Sequence, residues 1–274
     1  MKINQLMLIY LGAITGAELV TTFVAPVWGI IFYFFILLAL IVNSSIVKGQ
    51  LSEKLLLASN DQTLVLNNIR SSAPQSDRRF LVALALVPLI RIVSLSMPLA
   101  EFSVTYWYII IAIPVAVGIF IVARTLHLRP GEIGLTVGSI YLQVLLGVTG
   151  IAFGLVDYFI LKPEPLIVAL RWQEIMVPTL ILLVATGFVE ELAFRGVMQR
   201  ASTKMLGNWG WVYIAVLYAV LQIGQRSALH FMLSLLIALL FGWTVKRTGS
   251  ILGVSLCHGL INIGLYLIFP FVVF

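Results

Sequence analysis

Two short patterns in this chain carry side chains that could do chemistry. The first is Gly187-Phe188-Val189-Glu190-Glu191-Leu192-Ala193-Phe194-Arg195-Gly196, two adjacent acids and an arginine inside an apolar run. An ionisable group in hydrocarbon costs at least about 2.5–3.5 kcal/mol, so each one needs a partner or a task. Residues four apart share a face of an α-helix, which pairs Glu191 with Arg195. Glu190 lies five residues before Arg195, about 140° around the helix, and is left to point elsewhere into the bundle. The second pattern is His258-Gly259-Leu260-Ile261-Asn262, an imidazole and an amide on one helix face. Between them Tyr218 and Gln222 stand at the same spacing, and His230 follows eight residues later.

A buried carboxylate, an imidazole and an amide together suit hydrolysis. The carboxylate takes a proton from water, and the imidazole and amide stabilise the oxyanion that forms on the attacked carbonyl. Each group also has a structural reading. Glu190, Glu191 and Arg195 would also serve as an ion-pair cluster holding helices in register. His258, Asn262, Tyr218 and Gln222 would also serve as interhelical hydrogen-bonding groups, and His230 as an interfacial histidine at a span end. Glu18 and Arg91 fall inside other apolar runs and are expected to pair or to serve a transport path. Asp157 falls near a span end, where solvation is expected. The chain has no His-Glu-x-x-His pattern, cysteine cluster or phosphate-binding loop, so no metal and no cofactor is expected.

These groups must be held by membrane helices. Of 274 residues, 61% are hydrophobic and only 10% charged, against roughly a quarter charged in soluble domains. Apolar runs long enough to cross a bilayer recur at 3–24, 27–47, 80–98, 105–123, 136–160, 173–203, 209–225, 228–245 and 250–270. The fold class is therefore all-α, a polytopic transmembrane helical bundle of eight or nine spans. The composition excludes a soluble enzyme, a disulfide scaffold and a membrane β-barrel. The first run reads as an uncleaved span, being longer than a signal-peptide core. The long polar loop at 48–79 reads as a cytoplasmic connector, with Ser52 available to cap a short surface helix carrying Leu55 and Leu56. Gly134/Gly138 and Gly150/Gly154 have the small-residue spacing of closely packed membrane helices.

The net charge of +6 comes from 17 basic and 11 acidic residues that lie mostly between the apolar runs. They act as topology signals, and no nucleic-acid partner is expected. Alternating the runs puts thirteen basic residues, Arg195 among them, on the side of the N-terminus and three on the other. That bias places the N-terminus in the cytoplasm of a plasma or inner membrane. Lone Cys257 sits within an apolar run and reads as a small buried hydrophobe.

In this order and on hydrophobic helices, Glu190-Glu191-x-x-x-Arg195 followed by His258-x-x-x-Asn262 resembles the CPBP intramembrane proteases. That family comprises CAAX prenyl endopeptidases and bacteriocin-processing or self-immunity proteins. Phe194-Arg195-Gly196 and the Lys246-Arg247-Thr248-Gly249-Ser250 turn also match its pattern, and the resemblance covers roughly 173–270. It implies two units, N-terminal spans over 1–125 and a CPBP-like core over 126–274. It implies that Glu190 activates water, that Glu191 and Arg195 support it, and that His258 and Asn262 form the oxyanion site. The family's intervening Phe-x-x-x-His stands here as Tyr218-Ala219-Val220-Leu221-Gln222. Gln222 can hold a water but cannot exchange a proton near neutral pH. His230 is the one histidine placed to substitute if the chain folds back past a turn.

The resulting expectation is a glutamate-dependent membrane endopeptidase acting on a peptide or protein substrate near the cytoplasmic side of the bilayer. The alternatives are an impaired relative serving as a scaffold or immunity protein, and a transporter.

Overall fold

The computed structural model describes residues 3–57, 73–99 and 103–273, and every regular element among them is a helix. Helices α1 (Ile3–Phe23) and α2 (Pro26–Leu57) form an antiparallel hairpin. Helices α3 (Ala73–Leu84) and α4 (Leu86–Ser96) make one interrupted rod, followed by α5 (Val104–Thr125) and α6 (Ile140–Leu161). Helix α7 (Trp172–Ile181) runs into π-helical segments at Leu182–Glu190 and Leu192–Met198 and then α8 (Gln199–Leu206). Helices α9 (Gly210–Val220), α10 (Ala228–Thr248) and α11 (Leu252–Ile263) complete the core. A π-turn at Gly264–Ile268 and the short α12 (Phe269–Val272) follow.

Eight stretches among the described residues are long and apolar enough to cross a membrane. One of them, Trp172–Gln225, has 54 residues. A straight helix of that length would reach about 80 Å, far beyond the roughly 30 Å of a bilayer core. It folds back at Gly207, whose φ of 58° favours glycine, and Ser202 Oγ closes the turn by donating to the Gly210 carbonyl at 3.0 Å. The sixth and seventh expected spans are thus the two limbs of one hairpin. The outer surface is apolar, with Phe35, Ile113, Phe120 and Leu180 facing outward, as lipid contact requires. One core cluster runs from Met7 on α1 to Leu221 and takes residues from both sides of the 125/126 boundary.

The close-packing expectation holds for one glycine pair and fails for the other. A Cβ on Gly150 would meet the Cys257 carbonyl at 2.3 Å, and one on Gly154 the Ile261 carbonyl at 2.8 Å, so α6 and α11 touch through this stripe. Gly134 and Gly138 instead lie outside helices, at φ 79° and 57°. The chain before α6 turns there, and the Gly134 carbonyl accepts from the Ile251 N–H at 3.0 Å. Ser52 lies within α2, which continues through Leu57, and so does not start a separate helix. The side chains around it, and residues 58–72, fall outside the described set.

Candidate active site

The site forms where the π-helical limb crosses α11. The Thr186 hydroxyl donates to the Leu182 carbonyl at 2.6 Å and competes for an acceptor that an α-helix would use. From Leu182 onward the ladder widens to i→i+5, a winding frequently found at functional sites. The expected α-helical register therefore does not hold between Leu182 and Met198. The predicted pair survives the change: Arg195 Nη1 donates to Glu191 Oε1 at 3.1 Å, with both side chains almost fully buried. A Cβ on Gly187 would meet the Ser255 carbonyl at 2.6 Å, and one on Gly259 would meet Leu183 Cα at 3.1 Å. Two glycines at the crossing let the backbones approach closely enough for α11 side chains to reach both acids.

His258 bridges the two carboxylates. Its Nδ1 lies 2.8 Å from Glu191 Oε1, and its Nε2 lies 4.0 Å from Glu190 Oε2. Glu191 is fully buried, whereas the Glu190 side chain retains 36% of its exposure, all the more telling because it lines a cavity inside the bundle. Arg195 balances charge from a nest of rings, its Cζ lying 4.7 Å from the Tyr218 centroid and 5.5 Å from that of Phe241. Tyr218 also stands edge-on to His258 at 6.2 Å. Asn262 Nδ2 donates to Thr186 Oγ1 at 2.9 Å. That bond uses one of its two amide protons and leaves the other for a ligand.

The cavity, about 370 Å³, is lined by Glu190, Gln222, His258 and Asn262, together with Thr186, Tyr218, Tyr108 and Tyr266. Four predicted site residues thus meet around one space. Glu191 and Arg195 stand behind it, holding His258. Gln222 reaches the cavity even though α9 ends at Val220, so it does so from the turn and not from the helix face the spacing suggested. Of the cavity's lining residues only Gly224 and Gln225 are exposed, which marks their end as the mouth. The 21-residue α10 separates this end from Lys246 and Arg247. The opposite end carries Arg200 and Lys204, which contact Glu132 at 3.1 and 3.9 Å.

Three expectations need correction. Asp157 is buried rather than solvated, with 5% exposure, and accepts a 2.7 Å contact from His230 Nδ1. His230 is correspondingly buried and not interfacial. The missed signal is positional: Asp157 continues the Gly147, Gly150 and Gly154 stripe at helical spacing, so it faces the core. Arg195 is likewise buried, so it is no part of the cationic loop surface. Glu18 and Arg91 do pair, and Tyr33 joins them. Among the described residues no three His, Cys, Asp or Glu side chains are grouped to hold a metal ion.

Residues 172–264, about a third of the chain, match the family model of the Rce1-like type II CAAX prenyl endopeptidases. Over that stretch the chain is similar to the CPBP intramembrane proteases. The matched stretch begins at α7 and ends just past Asn262, so it takes in Glu190, Glu191, Arg195, His258 and Asn262. CPBP proteins of this kind are CAAX-type intramembrane proteases, and the helical bundle is an integral membrane protein. Neither the curated proteins nor the solved structures contain a match to this chain.

Proposed function

We propose that the chain is an intramembrane endopeptidase that hydrolyses a peptide bond of a membrane-associated substrate with water activated by Glu190. The observation that carries this reading is the meeting of Glu190, His258, Asn262 and Gln222 around one cavity within the bundle. Glu190 is the acid whose oxygens are not taken up by Arg195, so it is free to accept a proton from water. As the hydroxide adds to the scissile carbonyl, the second Asn262 amide proton stabilises the oxyanion. His258 donates through Nδ1 to Glu191, which fixes the ring. In its imidazolium form it carries a second proton on Nε2, directed at the same oxyanion. Glu190 then returns its proton to the leaving nitrogen.

The charge bias supports a cytoplasmic location for the end bearing Arg200, Lys204, Lys246 and Arg247. The exposed lining residues Gly224 and Gln225 are at the other end, so in that orientation the substrate enters the cavity from the outer side. The bidentate pairing of Glu18 with Arg91 accounts for both charges and removes the one feature that favoured a transporter. Gln222 favours a second reading, a family member with impaired catalysis that acts as a scaffold or immunity protein. The two are separated by presenting purified protein with a quenched peptide library containing lipidated and unlipidated members. Cleavage by the wild type that Glu190→Gln abolishes supports the protease; cleavage that survives this substitution, or no cleavage at all, overturns it.

A further inference from the structure

The Asp157–His230 pair is the least expected polar feature of the bundle. Two helices from different parts of the chain, α6 and α10, each bury one polar side chain to form it, and the 2.7 Å contact is too short to be incidental. Ser227 caps α10 by accepting from the His230 N–H at 3.2 Å, which fixes His230 in the first helical turn. Asp157 holds a proton on Nδ1, so Nε2 keeps its lone pair; the Ser234 hydroxyl at 3.3 Å is its neighbour. Packing alone does not call for this arrangement, because two apolar side chains would fill the space at lower desolvation cost.

The pair faces a second, smaller cavity of about 90 Å³, large enough for a few waters. Its walls include Gln222, His258, Asn262 and Tyr266, which also line the larger cavity. The two spaces therefore adjoin through the side chains of the site itself. His230 and Gln222 both line this small space.

Resting on the protease reading above, we propose that His230, oriented by Asp157, is the proton relay of the Glu190 site and supplies the function that Gln222 lacks. Hydrolysis moves two protons. Glu190 takes the first from the attacking water as the C–O bond forms and gives it to the leaving nitrogen as the C–N bond breaks. The second is the hydroxyl proton of the tetrahedral intermediate. It passes through water in the small cavity to His230 Nε2 as the intermediate collapses to a carboxylate, and His230 later releases it to the product amine or to solvent. Gln222 positions the intervening water without exchanging a proton.

The test uses the full-length protein in detergent or liposomes with a peptide that the wild type cleaves. His230→Gln should lower kcat by about 10²–10⁴ with little change in KM, the range for loss of a general acid–base group. Asp157→Asn should lower kcat in the same direction. Adding Gln222→His to His230→Gln should restore much of the lost rate, a recovery that repair of packing around Asp157 cannot produce. Wild-type kcat in His230→Gln, alongside inactive Glu190→Gln, overturns the relay and leaves the protease reading standing. A rate that Gln222→His does not recover, whatever the melting temperature, also overturns the relay. A wild type that cleaves nothing overturns both.

Discussion

Two buried glutamate–arginine clusters in this bundle use the same residue types to opposite ends. Glu18 is fully buried and meets Arg91 through both carboxylate oxygens, while Tyr33 donates to Oε1 at 2.5 Å. Arg91 places its remaining nitrogen 3.4 Å from Ser94. One acid faces one guanidinium and nearly every hydrogen-bonding position is filled, so α1, α2 and α4 are clamped together. Around Arg195 there are two acids for one guanidinium. Glu191 Oε2 and Arg195 Nη2 have no hydrogen-bond partner among the described residues, and Glu190 looks into a cavity. A filled cluster stabilises a fold; a cluster with capacity left over can act on something else.

The sharpest way to break that contrast is to remove the acid of the filled cluster. Glu18→Gln leaves the partly buried Arg91 without its counter-charge and should cost up to about 3–5 kcal/mol, the range for a fully buried pair. Thermal unfolding should show it as a lowered melting temperature, while cleavage per folded molecule stays near wild type. A Glu18→Gln protein that keeps its melting temperature but loses cleavage would erase the distinction.

The contrast lies in the acids: Glu18 is fully buried, whereas Glu190 is open to water through a cavity that Arg91 also lines, and labelling shows from which side. Cys257 is the chain's one cysteine and is fully buried, so an introduced thiol reports alone. A membrane-impermeant maleimide applied to intact cells should label Gln225→Cys at the cavity mouth and should reach Lys246→Cys only after permeabilisation. The reverse pattern would place the mouth in the cytoplasm.

The smallest effect concerns a third acid with cationic neighbours, this one at the surface. A hydrogen bond from the Arg129 N–H, with Arg200 and Lys204 nearby, holds the Glu132 carboxyl below the usual carboxylate range. Its folded-state value is thus lower than its unfolded one. The stability it contributes is present above the usual range and is lost as pH falls through the depressed value. Glu132→Gln should flatten the acid side of a melting-temperature profile slightly, since exposed pairs contribute little. A large change would mean that this loop is more buried than its exposure indicates.

The sequence was informative where a residue's neighbours are local. Glu191–Arg195 and His258–Asn262 follow from helical spacing, and the Gly150/Gly154 stripe announces the contact of α6 with α11. It was less informative where tertiary contacts decide. The ladder widens to a π-helix over Leu182–Met198, which spacing rules built on 3.6 residues per turn do not anticipate. Asp157 sits one turn from the end of α6 and looks solvated until His230 is brought against it from α10. Gly134 and Gly138 carry a helix-packing spacing but serve a turn docked on the Gly249–Ile251 corner. The direction of the cavity mouth depends on how α4, α5 and the Ile223–Gln225 turn leave space between them, which no local pattern encodes.

The central claim is that Glu190 and His258 act together on one carbonyl. A double-mutant cycle of Glu190→Gln and His258→Ala, read as kcat/KM on one cleaved peptide with folding checked by thermal unfolding, tests it most directly. Groups that act as a unit are strongly non-additive, so the double variant should be no slower than the slower single variant. Losses that multiply independently would show that the two side chains do not share a reaction, contradicting the account.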